Sequence, residues 1–306
     1  MLADYKASSL RNVIVSVGSA LVDICLFESE AFVRAAGAQI GGMKLVDASV
    51  TPMLLKKSTN TPAIIPGGSA CNTILGIGML GGAARFIGKR GDDEYGRMFE
   101  EGLKRHRVEP RLFTTTTPTG TVLSLITPDA QRSMLTFLGA SSETNPADMT
   151  PALFEHACLA HLEGYLLFNK ELLTAVMKAA KASGAKISLD LASYTVVESS
   201  MEFLKSIIEA FVDIVIANED EARVYTGYTE ERRAVQALSE HAEIAVVKMG
   251  GRGSLIAHNG IVTAIKPLRG GKIIDTTGAG DLWAAGFLYG ITRGLSIEKS
   301  GILGSA

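Results

Sequence analysis

Four short apolar runs in the second half of the chain, Leu159–Leu162, Lys186–Asp190, Ile214–Ala217 and Ala245–Met249, alternate with stretches of helical period. No other feature narrows the fold as much. Strands joined by helices such as Lys170–Ser183, Met201–Glu209 and Glu230–His241 run parallel, because each crossover returns the chain to the same end of the sheet. Ser254–Ala257 and Ile261–Ile265, joined through Asn259-Gly260, form a hairpin at an edge, and a final helix covers Leu282–Arg293.

The first half is less regular. Val13–Gly18 is a strand, which Ala20–Phe27 continues or pairs beside. Ser58–Ala84 is a loop plus a helix, Ser69–Leu80, with Ser69 as N-cap. Ala84–Ile87 is a strand and Glu94–Arg105 an amphipathic helix. Thr121–Thr127 and Ser133–Leu138 form a hairpin about Pro128-Asp129, and the β-rich patches near residues 43–66 and 111–138 suggest a small appended sheet. The expectation is one layered α/β unit over residues 1–306, with hydrophobic residues at 47% supplying an ample core.

Charge and cysteine usage exclude several classes. Thirty basic against 32 acidic side chains give a net charge of −2, no electrostatic basis for binding nucleic acid or an anionic membrane. Cys25, Cys71 and Cys158 are widely spaced and contain no CxxC, so they read as reduced thiols of a cytoplasmic protein. No secretory signal or membrane span is visible, and there is no P-loop, HExxH or GxSxG. Gly76–Gly81 matches GxGxxG but ends a helical stretch rather than following a strand, and His161-Leu162-Glu163 lacks the PCxxC of a zinc deaminase.

The motif with most chemical content is Asp275-Thr276-Thr277-Gly278-Ala279-Gly280-Asp281, directly before an apolar helix. Its glycines let backbone N–H groups approach a ligand, and the helix start adds unpaired donors and a positive dipole end. Asp281, in the first helical turn, can take a proton from an alcohol attacking a bound phosphate, or simply complement the dipole. Pro66-Gly67-Gly68-Ser69-Ala70-Cys71-Asn72 is a second glycine-to-helix junction, where Asn72 has the donor and acceptor that hydroxyl recognition needs. Asp23 closes an apolar run and either accepts bonds from sugar hydroxyls or sits exposed at an edge. Asn218 and Glu221 fit a capping box, or a carboxylate that holds Mg²⁺ through water. Lys248 with Gly250 and Gly253 suits a nucleotide loop or an ordinary turn.

Gly67-Gly68 with Asn72, Gly88 with the 91–96 GDDEYG stretch, Asn218 with Glu221, the Gly250/Gly253 loop and the 275–281 string are five motifs that, in this order, resemble the ribokinase-like, or phosphofructokinase-B, carbohydrate kinases from about Val13 onward. Thr119-Gly120-Thr121 with Thr136–Ala140 is similar to a bacterial branch labelled adenosine kinase. The resemblance implies a ribokinase-like three-layer α/β/α fold with a mostly parallel sheet and a small β-rich lid from segments near 19–66 and 111–139. It implies transfer of the ATP γ-phosphate to a primary hydroxyl of a sugar or nucleoside, with adenosine the leading nucleoside. Asp281 would be the base, with Gly278, Ala279 and Gly280 as anion hole. Asp23, Gly67, Gly68 and Asn72 would hold acceptor hydroxyls, and Asn218, Glu221, Lys248, Gly250 and Gly253 would meet nucleotide and Mg²⁺. Asp275 matches a monovalent-cation (K⁺) position of relatives. Many relatives carry Thr where Lys248 stands, and they continue with a further C-terminal helix that borders their adenine pocket, so either such a helix is expected beyond Ala306 or the base pocket is built differently. A homodimer through the lid would cover exposed strand edges. The rival reading is a catalytically silent sugar or nucleotide sensor, and a weaker one is an oxidoreductase using residues 76–81. Met53, Leu54, Met134 and Phe137 are candidates to stack on a purine, and equally good core residues.

Overall fold

The apolar runs pair as expected, and the register places their last residues side by side. The computed structural model describes residues 2–40, 42–129, 131–268 and 278–306. Its first half contains β1 (Val13–Val17), β2 (Leu21–Phe27), α1 (Glu30–Ala35), β3 (Met43–Leu45), α2 (Val50–Lys57), β4 (Ala63–Gly67), α3 (Ser69–Met79), β5 (Ala83–Gly91), α4 (Glu94–Arg105), β6 (Val108–Thr115), β7 (Thr119–Ile126) and β8 (Arg132–Gly139). The second half follows with β9 (Ala157–Glu163), α5 (Lys170–Ser183), β10 (Lys186–Asp190), α6 (Tyr194–Phe211), β11 (Ile214–Asn218), α7 (Glu219–Thr226), α8 (Glu231–Leu238), β12 (Ile244–Lys248), β13 (Ser254–His258), β14 (Ile261–Ile265), α9 (Ala279–Thr292) and α10 (Ile297–Gly304).

Among the described residues nine strands form one sheet, in the order β14-β13-β12-β11-β10-β9-β1-β5-β6. All its neighbours are parallel except the β12–β13 and β13–β14 pairs, the expected edge hairpin. Strand residues alternate between its two faces. Val15, Val17, Ile187, Leu189, Val215 and Val247 pack with α5, α6 and α8 on one side. Ile14, Ile214, Ile216, Ile244 and Val246 pack with α3 and α9 on the other, giving three layers. Buried on both faces, these strands read as continuous apolar runs, which is why they stand out in the sequence.

A second sheet, ordered β3-β8-β7-β2-β4, is built from the first half. Ala20–Phe27 therefore neither extends β1 nor joins its sheet: Gly18 and Ser19 turn the chain, and β2 pairs with β4 and β7. Several expectations need correcting here. Residues 111–115, assigned to the small sheet, belong to β6 and pair with β5 at the edge of the large one. The patch near 43–66 contains α2, and the loop before α3 contains β4. Ser69 is not the cap of α3; Gly68 is, at φ +94°, a conformation that disfavours a side chain. Nor is α9 the last helix, since α10 follows it. The GxGxxG string ends α3 and turns out of it, and a Cβ on Gly76 would lie 2.7 Å from Ala285 Cβ, so this glycine lets α3 pack on α9.

Candidate functional site

The chain runs from β1 outward to β5 and β6, then resumes at β9 on the other side of β1 and proceeds outward again. Reversal of strand order leaves a crevice at the carboxyl ends of the strands flanking the switch, the usual ligand position in open α/β sheets. A cavity of about 440 Å³ lies there. Four neighbouring strands end on polar residues that line it: Glu163 on β9, Asp190 on β10, Asn218 on β11 and Lys248 on β12. The register pairs Glu163 with Asp190 and Asn218 with Lys248, so the row is set by the backbone ladder.

Asp281 faces this row from the first turn of α9, whose N-cap Gly278 is left-handed at φ +70°. Ser69 Oγ donates to Asp281 Oδ1 at 2.8 Å and Asn72 Nδ2 donates to Oδ2 at 2.9 Å. Thr73 Oγ1 donates to the Asp281 carbonyl at 3.2 Å, so three side chains of α3 hold the start of α9. Burial lifts the Asp281 carboxyl above its ordinary pKa, the bond from Asn72 opposes that lift, and the charge of Asp190 adds to it. Asn72 therefore holds the carboxylate with its amide nitrogen and keeps its amide oxygen for another partner.

Glu163 is 1% exposed and has a clear local reason to be there. Its Oε1 accepts from Ser19 N at 2.8 Å and its Oε2 from Ala70 N at 2.9 Å, tying the turn after β1 to the start of α3. A Cβ on Gly18 would lie 2.6 Å from this carboxylate, so the glycine makes room for it. Burial pushes the Glu163 carboxyl up, and the two backbone bonds oppose the shift.

Above the row lies one face of the small sheet. Asp23 (5% exposed), Val122 and Thr136 are cross-strand neighbours, and all three line the cavity. Met43, Leu45, Met134 and Leu138 make the rest of that roof mostly apolar. Arg132, at the outer end of β8, also lines it and donates to Met134 Sδ at 3.2 Å. Burial pushes Asp23 up to about 6, the charge of Arg132 opposes the shift, and Asp281 adds to it. Gly67 does not line the cavity but supports Asp23: an added Cβ would lie 2.1 Å from the Asp23 carboxyl carbon. Gly67→Ala is expected to displace that carboxylate, and a ligand that donates a hydrogen bond to Asp23 should then bind about tenfold more weakly, the effect of ~1.4 kcal/mol. An unchanged affinity in a folded variant would place the effect elsewhere.

At the far end of the row, Asn218 and Glu221 form a reciprocal capping box. Glu221 N donates to Asn218 Oδ1 at 2.9 Å, while Glu221 Oε2 accepts from Asn218 N at 2.8 Å and Oε1 from Asn218 Nδ2 at 2.7 Å. Burial and the charge of Asp190 push the Glu221 carboxyl up, opposed by Lys248. Lys248 Nζ donates to Asp190 Oδ2 at 2.6 Å.

One cavity thus gathers Asp23, Gly68, Asn72, Asn218, Glu221, Lys248, Gly278, Gly280 and Asp281 from positions far apart in sequence. Ala279, Gly250 and Gly253 are not among its lining residues, and Asp275 lies outside the described residues. Of the four proposed stacking residues only Met134 lines the cavity; Leu54 is core at 2% exposure and Met53 is 46% exposed. Ser69, Glu163, Asp190 and Arg132 are additions that motif reading misses. For Glu163 and Asp190 the signal is in the chain, an acid closing an apolar strand, whereas Asp23, expected to follow one, lies inside β2.

Among the described residues no group of three or more His, Cys, Asp or Glu is placed to hold a metal directly, and no helix is long and apolar enough to cross a membrane. Residues 49–306 match the family model described as pfkB family carbohydrate kinase. A probable sugar kinase from Rhizobium etli superposes with a TM-score of 0.91 at 30% identity, covering 97% of this chain and 91% of that one. An adenosine kinase from Sinorhizobium meliloti superposes with a TM-score of 0.89 at 29% identity, covering 96% and 92%. A probable fructokinase from Arabidopsis thaliana is 28% identical over 278 residues, 85% of this chain and 76% of the relative.

Proposed function

The chain belongs to the pfkB family of carbohydrate kinases, ATP-dependent phosphotransferases with an alcohol acceptor, and from that premise we propose that it phosphorylates a primary hydroxyl of a nucleoside or sugar with Asp281 as general base. The observation that carries this reading is the grip of Ser69 and Asn72 on both oxygens of Asp281, at a glycine-capped helix start inside the cavity. The base is thereby aimed, and its raised pKa makes it a stronger proton acceptor than an exposed carboxylate.

In the proposed reaction the acceptor hydroxyl gives its proton to Asp281 as its oxygen bonds to the γ-phosphorus. The bond from that phosphorus to the β–γ bridging oxygen breaks, and ADP leaves. Backbone N–H groups of Gly278, Ala279 and Gly280 serve the charge on the transferring group, a positioning and electrostatic task. Asp23, Gly68 and Asn72 meet the acceptor, and the small sheet closes over it as a lid, excluding water. Asn218, Lys248 and the turn with Gly250 and Gly253 serve the nucleotide.

Both oxygens of Glu221 already accept bonds, and Asp190 lines the same cavity, so this oxygen donor set suits Mg²⁺ met through water. When bound, the metal supplies positive charge that offsets the phosphates. A K⁺ site at Asp275 forms part of the reading and is checked by comparing rates in K⁺ and Na⁺ salts.

Among acceptors we favour adenosine. The apolar roof of Met43, Leu45, Val122, Met134 and Leu138 suits a purine better than a bare sugar, and the Sinorhizobium adenosine kinase is similar over nearly the whole chain. The Arabidopsis relative keeps fructose in contention. We place the reaction in the cytoplasm, in keeping with three cysteines that form no disulfide, and a homodimer through the edges of the small sheet is tested by light scattering.

The deciding experiment measures ADP release from Mg·ATP across adenosine, other nucleosides, ribose, fructose and their phosphates. Release that depends on one acceptor is the expected result. Nucleotide binding without acceptor-dependent release anywhere in the panel would favour a catalytically silent sensor.

A further inference from the structure

Lys248 occupies a place that the neighbouring charges make informative. It closes β12, is 15% exposed, and faces the cavity beneath α9. Its Nζ would lie 3.1 Å from a Cβ on Gly280, so the ammonium sits against the first turn of the helix, where an anion is best received. An ammonium carries three N–H donors. Among the described residues only one acceptor is within hydrogen-bond distance, Asp190 Oδ2 at 2.6 Å. The other oxygen of Asp190 accepts from Ala192 N at 3.1 Å, which keeps that carboxylate in place. A nearly buried cation with donors to spare, aimed into a cavity, calls for an anionic oxygen.

The surroundings make that need sharper. Glu163, Asp190, Glu221 and Asp281 line the floor of the cavity, and Lys248 is the one lysine or arginine among its described floor residues; Arg132 belongs to the roof. A polyphosphate chain entering toward α9 meets several carboxylates and a single cation. Without that cation, repulsion from the floor would keep out a nucleotide not already carrying a metal.

We propose that Lys248, held in position by Asp190, is a preformed anchor for the phosphate chain of the nucleotide and lets this protein bind nucleotide in the absence of divalent metal. The inference rests on the kinase reading above. Asp190 acts as the positioning residue: it fixes the ammonium with one N–H and leaves the others for phosphate oxygens.

The test is isothermal titration of ADP and of a non-hydrolysable ATP analogue, in excess EDTA and in excess Mg²⁺. The wild-type chain is expected to bind in both. Lys248→Met alone would strand a buried carboxylate, so the ammonium is removed in the double variant Lys248→Met/Asp190→Asn, with thermal melts confirming that it is folded. Its affinity in EDTA is expected to fall at least tenfold, about 1.4 kcal/mol, and to fall less in Mg²⁺. Asp190→Asn alone keeps an oxygen for the ammonium and removes one negative charge, so it should bind in EDTA as tightly as wild type or more tightly. A purely structural ion pair would make the two variants behave alike. Wild-type binding only with Mg²⁺, an unchanged double variant, or an Asp190→Asn as weak as the double would each overturn the anchor while leaving the kinase reading intact. Failure to bind nucleotide under either condition would overturn both.

Discussion

Asp281→Asn is expected to lower kcat by about a thousandfold, within the range that a positioned general base contributes, while KM for either substrate changes little. The neutral amide can still accept from Ser69, and Asn72 turns its own amide oxygen to the new NH2 group in place of the bond it donated, so the proton acceptor is lost with little change of shape. Stability should move the other way. The folded pKa of Asp281 is raised, by burial first and also by Asp190, so its ionised form works against the fold. A carboxyl shifted upward contributes stability that is full below its unfolded pKa and is lost as pH rises through the folded value. The wild-type melting temperature should therefore drop across that window in a way the variant does not. At neutral pH the variant should accordingly melt higher than the wild type. The rate profile carries the same signature: kcat/KM of the wild type should fall tenfold per pH unit below a knee that lies above the ordinary carboxylate value of 3.8. Near-wild-type turnover in Asp281→Asn would remove it as the base.

Gly253→Ala is expected to be the most destabilising of the glycine substitutions near the row of strand ends. Gly253 has φ +93° and ψ −141°, a region open in practice only to glycine. An added Cβ would lie 2.0 Å from the Ile265 carbonyl oxygen and 3.1 Å from Pro267 Cδ, so strain is compounded by overlap with backbone that cannot rotate away. A loss of about 3 kcal/mol or more follows, a fall in melting temperature of roughly 6–12 °C. Gly250 provides the contrast. Its φ is +51° and an added Cβ meets nothing within 4 Å, so alanine there costs only the left-handed penalty of about 1 kcal/mol. Because the two glycines lie in one turn, the pair separates folding from ligand contact. A raised nucleotide KM in a well-folded Gly250→Ala would assign the turn to phosphate binding. Equal, small melting shifts in both variants would contradict the steric account.

The contrast shows why some of the molecule is readable in the chain and some is not. Lys170–Ser183, Lys186–Asp190 and Glu94–Arg105 match their elements to the residue, because burial on two faces or amphipathic period marks each one locally. The division of the first half between two sheets is not local. β2 is mostly apolar and β6 mixed, yet nothing local tells which sheet either joins, and only long-range pairing sends one to the small sheet and the other to the large. The same holds for the candidate site. Asp281 and Asn72 announce themselves by the glycines before them, whereas Glu163 reads as part of a failed zinc motif and Asp190 as the end of a strand. Their importance rests on Ser19, Ala70 and Lys248, which sequence distance conceals. Glycine turns are ambiguous in the opposite sense: the ones at Gly67 and Gly253 look like ligand loops, yet each meets an immediate steric demand of the fold.

The row of strand ends has a consequence for how such a protein diversifies. Each group in it is placed by its own strand, and the ladder spacing is indifferent to which side chain the last residue carries. A substitution at one end leaves the backbone of the other three in place, even where, as at Lys248, it deprives a neighbouring side chain of its partner. The roof comes from a different sheet, so its residues can change without displacing the strand ends. Under the proposed reading, a change in the molecule acted on would fall to the roof alone, and similarity to both a fructokinase and an adenosine kinase is in keeping with that division of labour.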